Sequence, residues 1–238
     1  MTSPAWLTRV SLSRSASARA LVSLIAPDDP ARRAETSHRL LWTLFGDTPE
    51  RSRDYLWREE GQGRFTLLSA RPPEDHHALF DPFEPKPFDP AWVIGDRVRF
   101  TLRANATVKR RGEKNRSDVV MDAIHALPKG ARAGPRREAE QAASRNWLEA
   151  QGASHGFAVT HMDCLGYETL AIPRWKKCSK DDEDKDRYQR TSPIKLGVVE
   201  LEGHLTVTDP AAFSAKLLAG FGRGRAFGCG LMLVARSG

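Results

Sequence analysis

Cysteine is scarce in this chain. Cys164, Cys178 and Cys229 are odd in number and lack CxxC spacing, which disfavours a disulfide framework and a cysteine-rich zinc site. The compartment expected from that usage is a reducing cytoplasm. No apolar run approaches the roughly 20 residues of a membrane span. The N-terminal segment is broken by Arg9, Arg14 and Arg19, so it lacks the apolar stretch of a signal peptide. There is no GxSxG elbow, and no cysteine is paired by local motif with a histidine. His76 and His77 are adjacent, and adjacent ligands rarely converge on one ion, so no metal and no cofactor are expected.

What is present suffices for an ordered core. Hydrophobic residues make up 40% and charged residues 28% of 238 residues, enough for one large domain or two of about 100 residues each. The charge is uneven. Between Arg97 and Arg137 twelve Lys and Arg stand against Glu113, Asp118 and Asp122, a local excess of nine, whereas the whole chain nets +7. A basic block in a near-neutral globule is the electrostatic footprint of a phosphate-rich partner. A merely solvated loop is the alternative.

The patterning alternates strands and helices. A strand is predicted over 6–12. Asp29-Pro30 then reads as N-cap and first residue of a helix with an apolar stripe of Leu40, Leu41, Leu44 and Phe45, capped by Gly46. Strands over 54–58 and 64–69 flank Gly61-Gln62-Gly63 as a hairpin. The segment DPFEPKPFDP reads as an extended connector. The strand over 97–105 sets Val98, Phe100, Leu102 and Ala104 against Arg97, Arg99, Thr101 and Arg103. Downstream, a helix after Pro135 closes at Gly152, and strands follow over 156–162 and 167–172. The run CSKDDEDKDRYQRTSP is too charged to pack and reads as a loop. A strand over 199–207, a second Asp-Pro helix start at Asp209 and a last strand over 231–235 complete the pattern. The fold class is α+β: two tandem ferredoxin-like, RRM-like domains of split βαβ type, 1–105 with His38 and 106–238 with a glycine-rich loop. No aromatic RNP motif accompanies them.

That loop, GFGRGRAFGCG, places Gly220, Gly222, Gly224, Gly228 and Gly230 around Arg223 and Arg225. Its glycines let backbone approach a phosphate and its N–H groups can line an anion nest. It follows a helix and feeds a strand, the reverse of a P-loop or a Rossmann turn. His38, in the first helix, is one turn before Trp42 and one turn after Glu35.

Extended to GFGRGRAFGCGLMLVAR, the loop is similar to the C-terminal glycine-rich signature of RAMP-superfamily proteins of CRISPR systems. HRLLWTLF, RDYLWRE, FTLLSARPP and VRFTLRANATVK resemble, in the same order, segments of the CasE (Cse) crRNA-processing endoribonucleases of type I-E Cascade. The resemblance runs from Trp6 to Arg236 and is weakest over 175–193. It implies a metal-independent endoribonuclease that cuts the repeat stem-loop of precursor CRISPR RNA and keeps the mature crRNA alongside other Cascade subunits. The family's catalytic histidine, just ahead of a Leu-Trp pair, matches His38. The tyrosine three residues earlier in better-known members is Glu35 here, which leaves a two-residue catalytic pair open.

The chemistry fits that assignment. RNA carries its own nucleophile, the 2′-OH beside the scissile phosphate. An enzyme need only align it, move protons and neutralise charge, leaving a 2′,3′-cyclic phosphate and a 5′-OH. An A-form stem offers few readable base edges, so phosphate contacts should dominate. Candidates on the stem are Arg103, Lys109, Arg110, Arg111, Lys114, Arg116, Arg136 and Arg137. Arg223 and Arg225 lie beside the loop, and Arg174, Lys176 and Lys177 are further candidates. A non-catalytic RNA-binding RAMP subunit, or a general RNA-binding ferredoxin-like protein, would share the charge without needing His38.

Overall fold

The computed structural model describes residues 4–13, 15, 29–46, 53–61, 63–110, 112, 115–128, 135–177 and 188–237, with the side chains of 175–177 and 188–190 left aside. The first unit comprises β1 (Trp6–Ser11), α1 (Pro30–Trp42), β2 (Tyr55–Gly61), β3 (Arg64–Ser69) and β4 (Lys86–Pro87). Asp29 caps α1 by accepting a 2.7 Å hydrogen bond from the Arg32 N–H, and Pro30 occupies the position whose N–H would be orphaned. The expected cap at Gly46 does not form. Thr43 ends the helix in right-handed geometry, and the next N–H groups turn back on Leu41 and Trp42.

The strands run β2-β3-β1-β4, antiparallel throughout. That is a split βαβ unit with an irregular connection over 70–85 in place of its second helix. Val10, Leu41, Leu44, Phe45, Trp57, Phe65 and Leu67 close its core between helix and sheet.

The second unit comprises β5 (Arg97–Ala104), a small hairpin of β6 (Thr107–Val108) and β7 (Ser117–Asp118), α2 (Val119–Ala126), α3 (Arg136–His155), β8 (Phe157–Lys177), β9 (Tyr188–Val207), α4 (Pro210–Ala219), a single 3₁₀ turn (Arg225–Phe227) and β10 (Met232–Arg236). Its sheet has the order β10-β5-β9-β8. The domain boundary therefore moves. The strand assigned to the end of the first domain pairs with β9 and β10, so the units divide between Pro87 and Arg97 and not after residue 105. Alternation announces a strand but not its partner, and the true fourth strand, two residues long, is too short to announce itself.

Two further expectations change. Gly152 lies inside α3, where a Cβ would stand 2.3 Å from the Phe157 carbonyl oxygen. The left-handed cap is Gly156, at φ 76°. The two strands expected over 156–172 are one, β8, whose bulges at Val159/His161, Cys164/Gly166 and Ile172/Arg174 absorb the breaks in alternation. Of the charged segment expected as a loop, residues 178–187 lie outside the described residues, while Tyr188–Pro193 already belong to β9, with Tyr188–Thr191 paired to β8.

The units join through apolar contacts. Ala31 of α1 packs with Leu170, Ile172, Leu196, Val198 and Cys229. Ala5, Leu56 and Leu68 pack with Leu231. Among the described residues no helix is long and apolar enough to cross a membrane.

Candidate active site and nucleic-acid interface

His38 lies one turn before Trp42, which meets its ring edge-on at 6.2 Å between centroids. Trp42 in turn packs beside Tyr55, and Tyr55 stacks on Phe45 at 4.3 Å. This aromatic wall half-buries the imidazole. Nδ1 is enclosed without a hydrogen-bond partner, leaving Nε2 as the nitrogen a substrate can approach. Burial, then the positive charges of Arg53 and Arg39, hold the His38 pKa below its ordinary 6.5. Both effects favour the neutral ring over the imidazolium.

Glu35 turns its carboxylate to Arg39, 2.6 Å away along the same helix. Its influence on His38 then runs through how far it offsets the Arg39 charge. Arg53, just ahead of β2, is half-buried, and its own pKa is lowered by burial and by Arg225. Residues missed in the sequence thus enter the site. Arg53 lies in the RDYLWRE segment, but nothing local marks it as a neighbour of His38.

The glycine-rich loop is folded upon itself and wedged between the units. N–H groups of Gly220, Phe221, Arg223, Phe227 and Gly230 donate to backbone carbonyls, so these five do not line an anion nest. Two glycines explain the composition. At Gly222 (φ +67°) a Cβ would lie 2.4 Å from the Asn105 carbonyl oxygen, and at Gly228 (φ +74°) it would press on the Trp57 ring at 3.0 Å. Gly220, Gly224 and Gly230 also have positive φ. Arg223 and Arg225 project from a loop pinned to both domains.

The remaining cations divide. Arg103 sits at the domain junction, donating to Glu200 at 2.7 Å and Glu168 at 2.5 Å, while Arg58 of the first unit reaches Glu200 at 3.1 Å. Its charge is neutralised by carboxylates of the neighbouring strands β8 and β9, so it sits in an ion-pair network within the second sheet, which Arg58 joins from the first unit, and not on the open surface expected for a stem contact. Lys109 and Arg110 are exposed beyond β6, Arg110 pairing with Asp122 at 2.9 Å, and Arg116 is exposed just before β7. Arg111 and Lys114 lie outside the described residues. At the start of α3, Arg136 pairs with Glu140 and Arg137 is exposed. Arg174 is exposed on β8; the Lys176 and Lys177 side chains lie outside those described. Among the described residues no three His, Cys, Asp or Glu side chains converge as a metal site.

Residues 5–236 match the family described as CRISPR associated protein. A curated relative, the CRISPR-associated endoribonuclease Cse3 of Thermus thermophilus, is 31% identical over 159 residues, which is 64% of this chain and 62% of that protein. The alignment thus spans less than two thirds of the relative's length. Among solved structures, CRISPR endoribonuclease Cse3 bound to a 19 nt RNA superposes with a TM-score of 0.67 at 26% identity, covering 99% of this chain and 100% of that one. Cas6e from Escherichia coli K-12 is similar in fold, with a TM-score of 0.58 at 22% identity, covering 97% and 98%.

Proposed function

We propose that this chain, which belongs to the CRISPR-associated protein family, is an endoribonuclease that matures CRISPR RNA. It cuts the repeat stem-loop of the precursor without a metal ion, then retains the product as a subunit of a Cascade-type complex. The observation that carries this reading is the setting of His38, an imidazole enclosed at Nδ1, where burial and the charges of Arg53 and Arg39 favour the neutral form. The similarity to an RNA-bound endoribonuclease supports the substrate class.

In this mechanism Nε2 of His38 takes the proton from the 2′-OH. The 2′-oxygen forms a bond to phosphorus, and the bond from phosphorus to the 5′-oxygen breaks. The leaving oxygen regains a proton from the imidazolium or from water, which gives a 2′,3′-cyclic phosphate and a 5′-OH. A depressed pKa suits the first step, because the base must be unprotonated at working pH. Arg53 offsets the charge that develops on the phosphorane. The same guanidinium repels a divalent cation from this position, in keeping with a metal-free reaction.

The test is single-turnover cleavage of repeat RNA in excess EDTA. His38→Ala should lower the rate by at least ~10²–10⁴-fold while repeat affinity, spread over many phosphates, stays close to wild type. A single 2′-deoxy substitution before the scissile phosphate should stop cutting. Full activity on the deoxy substrate refutes 2′-OH attack. Tight repeat binding by wild type with no cleavage at all leaves the non-catalytic RAMP subunit as the reading.

A further inference from the structure

Beside the glycine-rich loop lies a cavity of about 400 Å³ that the chemistry at His38 does not use. Arg116 enters it from the arm before β7, Gln151 from α3, Lys216 from α4, and Gly222, Arg223 and Arg225 from the loop. Four of these six are cations, and no carboxylate lines the cavity. Among the described residues none of the four has an ion-pair partner.

Four like charges drawn into one cavity repel one another, and the fold holds them there by construction. The Lys216 ammonium rests 5.0 Å from the centre of the Phe221 ring. Arg223 is pinned to the end of β5 by its own N–H, which donates to the Asn105 carbonyl at 3.2 Å. Gly222 allows that approach by lacking a Cβ. Lys216 is half-buried, and burial followed by the Arg225 charge lowers its pKa, so an anion entering the cavity would relieve a repulsion already present. The cavity also has a route to His38. Arg225 lies close enough to Arg53 for its charge to be felt there, as Arg53 does to His38.

We propose that this cavity seats a backbone phosphate of the same RNA strand whose scissile phosphate meets His38, and that Lys216, with Arg116, Arg223 and Arg225, forms the grip. Arginine supplies planar two-point contacts to phosphate oxygens and lysine a point charge, with the Gln151 amide as a neutral donor. The proposal rests on the reading of the ligand as RNA.

The experiment uses the full chain and a repeat stem-loop RNA carrying the single 2′-deoxy block, with affinity measured across a series of KCl concentrations. Lys216→Gln should weaken binding on the order of 3–30-fold and flatten the log K against log salt slope by roughly 0.7–0.9, one phosphate contact. Lys216→Arg should restore the slope. A folded Lys216→Gln variant with wild-type affinity and slope overturns the grip. So does a loss of affinity at unchanged slope that arginine fails to rescue, since that marks packing on Phe221 alone. Wild-type cleavage of unblocked RNA is scored separately. A Lys216-dependent slope without cleavage keeps the grip and sinks the nuclease, and cleavage with a slope indifferent to Lys216 does the reverse.

Discussion

Replacing Arg103 by methionine separates two roles that one cation could hold. The guanidinium donates to Glu200 at 2.7 Å and to Glu168 at 2.5 Å, and its side chain is 23% exposed against 29% and 45% for the two carboxylates. Burial works against its charge, but the two carboxylates more than restore it, so its pKa stays above the ordinary range. Methionine keeps the aliphatic stem and removes both ion pairs. Losing the better-buried contact to Glu200 costs about 1.5–3 kcal/mol. The contact to Glu168 is more exposed and adds less than about 1 kcal/mol. Glu200 keeps Arg58 at 3.1 Å, which spares it full isolation. The expected loss is therefore about 2–3 kcal/mol, or roughly 5–10 °C in Tm for a chain of this size. Calorimetry reads the stability, and repeat-RNA affinity across KCl concentrations reads any role toward phosphate. A structural ion-pair role within the second sheet predicts a lower Tm with an unchanged salt slope. An unchanged Tm with a slope flatter by one phosphate contact would return Arg103 to the RNA surface and refute the assignment.

Two other outcomes follow from the same geometry. Glu35→Gln leaves Arg39 uncompensated one residue from His38; added positive charge disfavours the imidazolium, so the histidine limb of the single-turnover pH–rate profile should move to lower pH, by a small amount because Arg39 is exposed. An unmoved limb refutes any influence of Glu35 on the histidine, and a raised limb refutes the sign argued through Arg39. Converting Lys109, Arg110 and Arg111 together to alanine should flatten the repeat-RNA salt slope by up to ~0.7–0.9 for each phosphate no longer engaged, and wild-type affinity and slope would make that run solvated surface.

How much of this was legible in the sequence depended on whether a signal was local. The two Asp-Pro starts at Asp29 and Asp209 were readable because a cap acts on its own next turn. The alternation of β5 was readable too, and its membership of the second sheet was not, because pairing is a long-range fact. Gly152 and Gly156 show the same limit: both lie near the end of α3, the first a glycine because the Phe157 carbonyl packs against it, and only the left-handed backbone of the second marks where the helix stops. Arg103 stood on the polar face of a cationic strand, and nothing in that strand announces Glu168 and Glu200 across the sheet.

The candidate site follows the same rule. His38 stood out because a family resemblance covered its segment; its spacing alone made it an ordinary helical histidine. Arg53 and Lys216 carried no local mark, since Arg53 matters through its charge on His38 and both are coupled to Arg225. That coupling depends on the glycine-rich loop. Gly228 lets the loop close against Trp57 of the first unit, and Gly222 lets it close against Asn105 at the end of β5. Arg225 lies between those two contacts. Composition suggests these glycines as a backbone surface for phosphate, and their more direct effect is mechanical: by allowing two close approaches on opposite sides, they fix one arginine where the histidine-bearing domain and the cationic cavity of the other domain can act on a single strand.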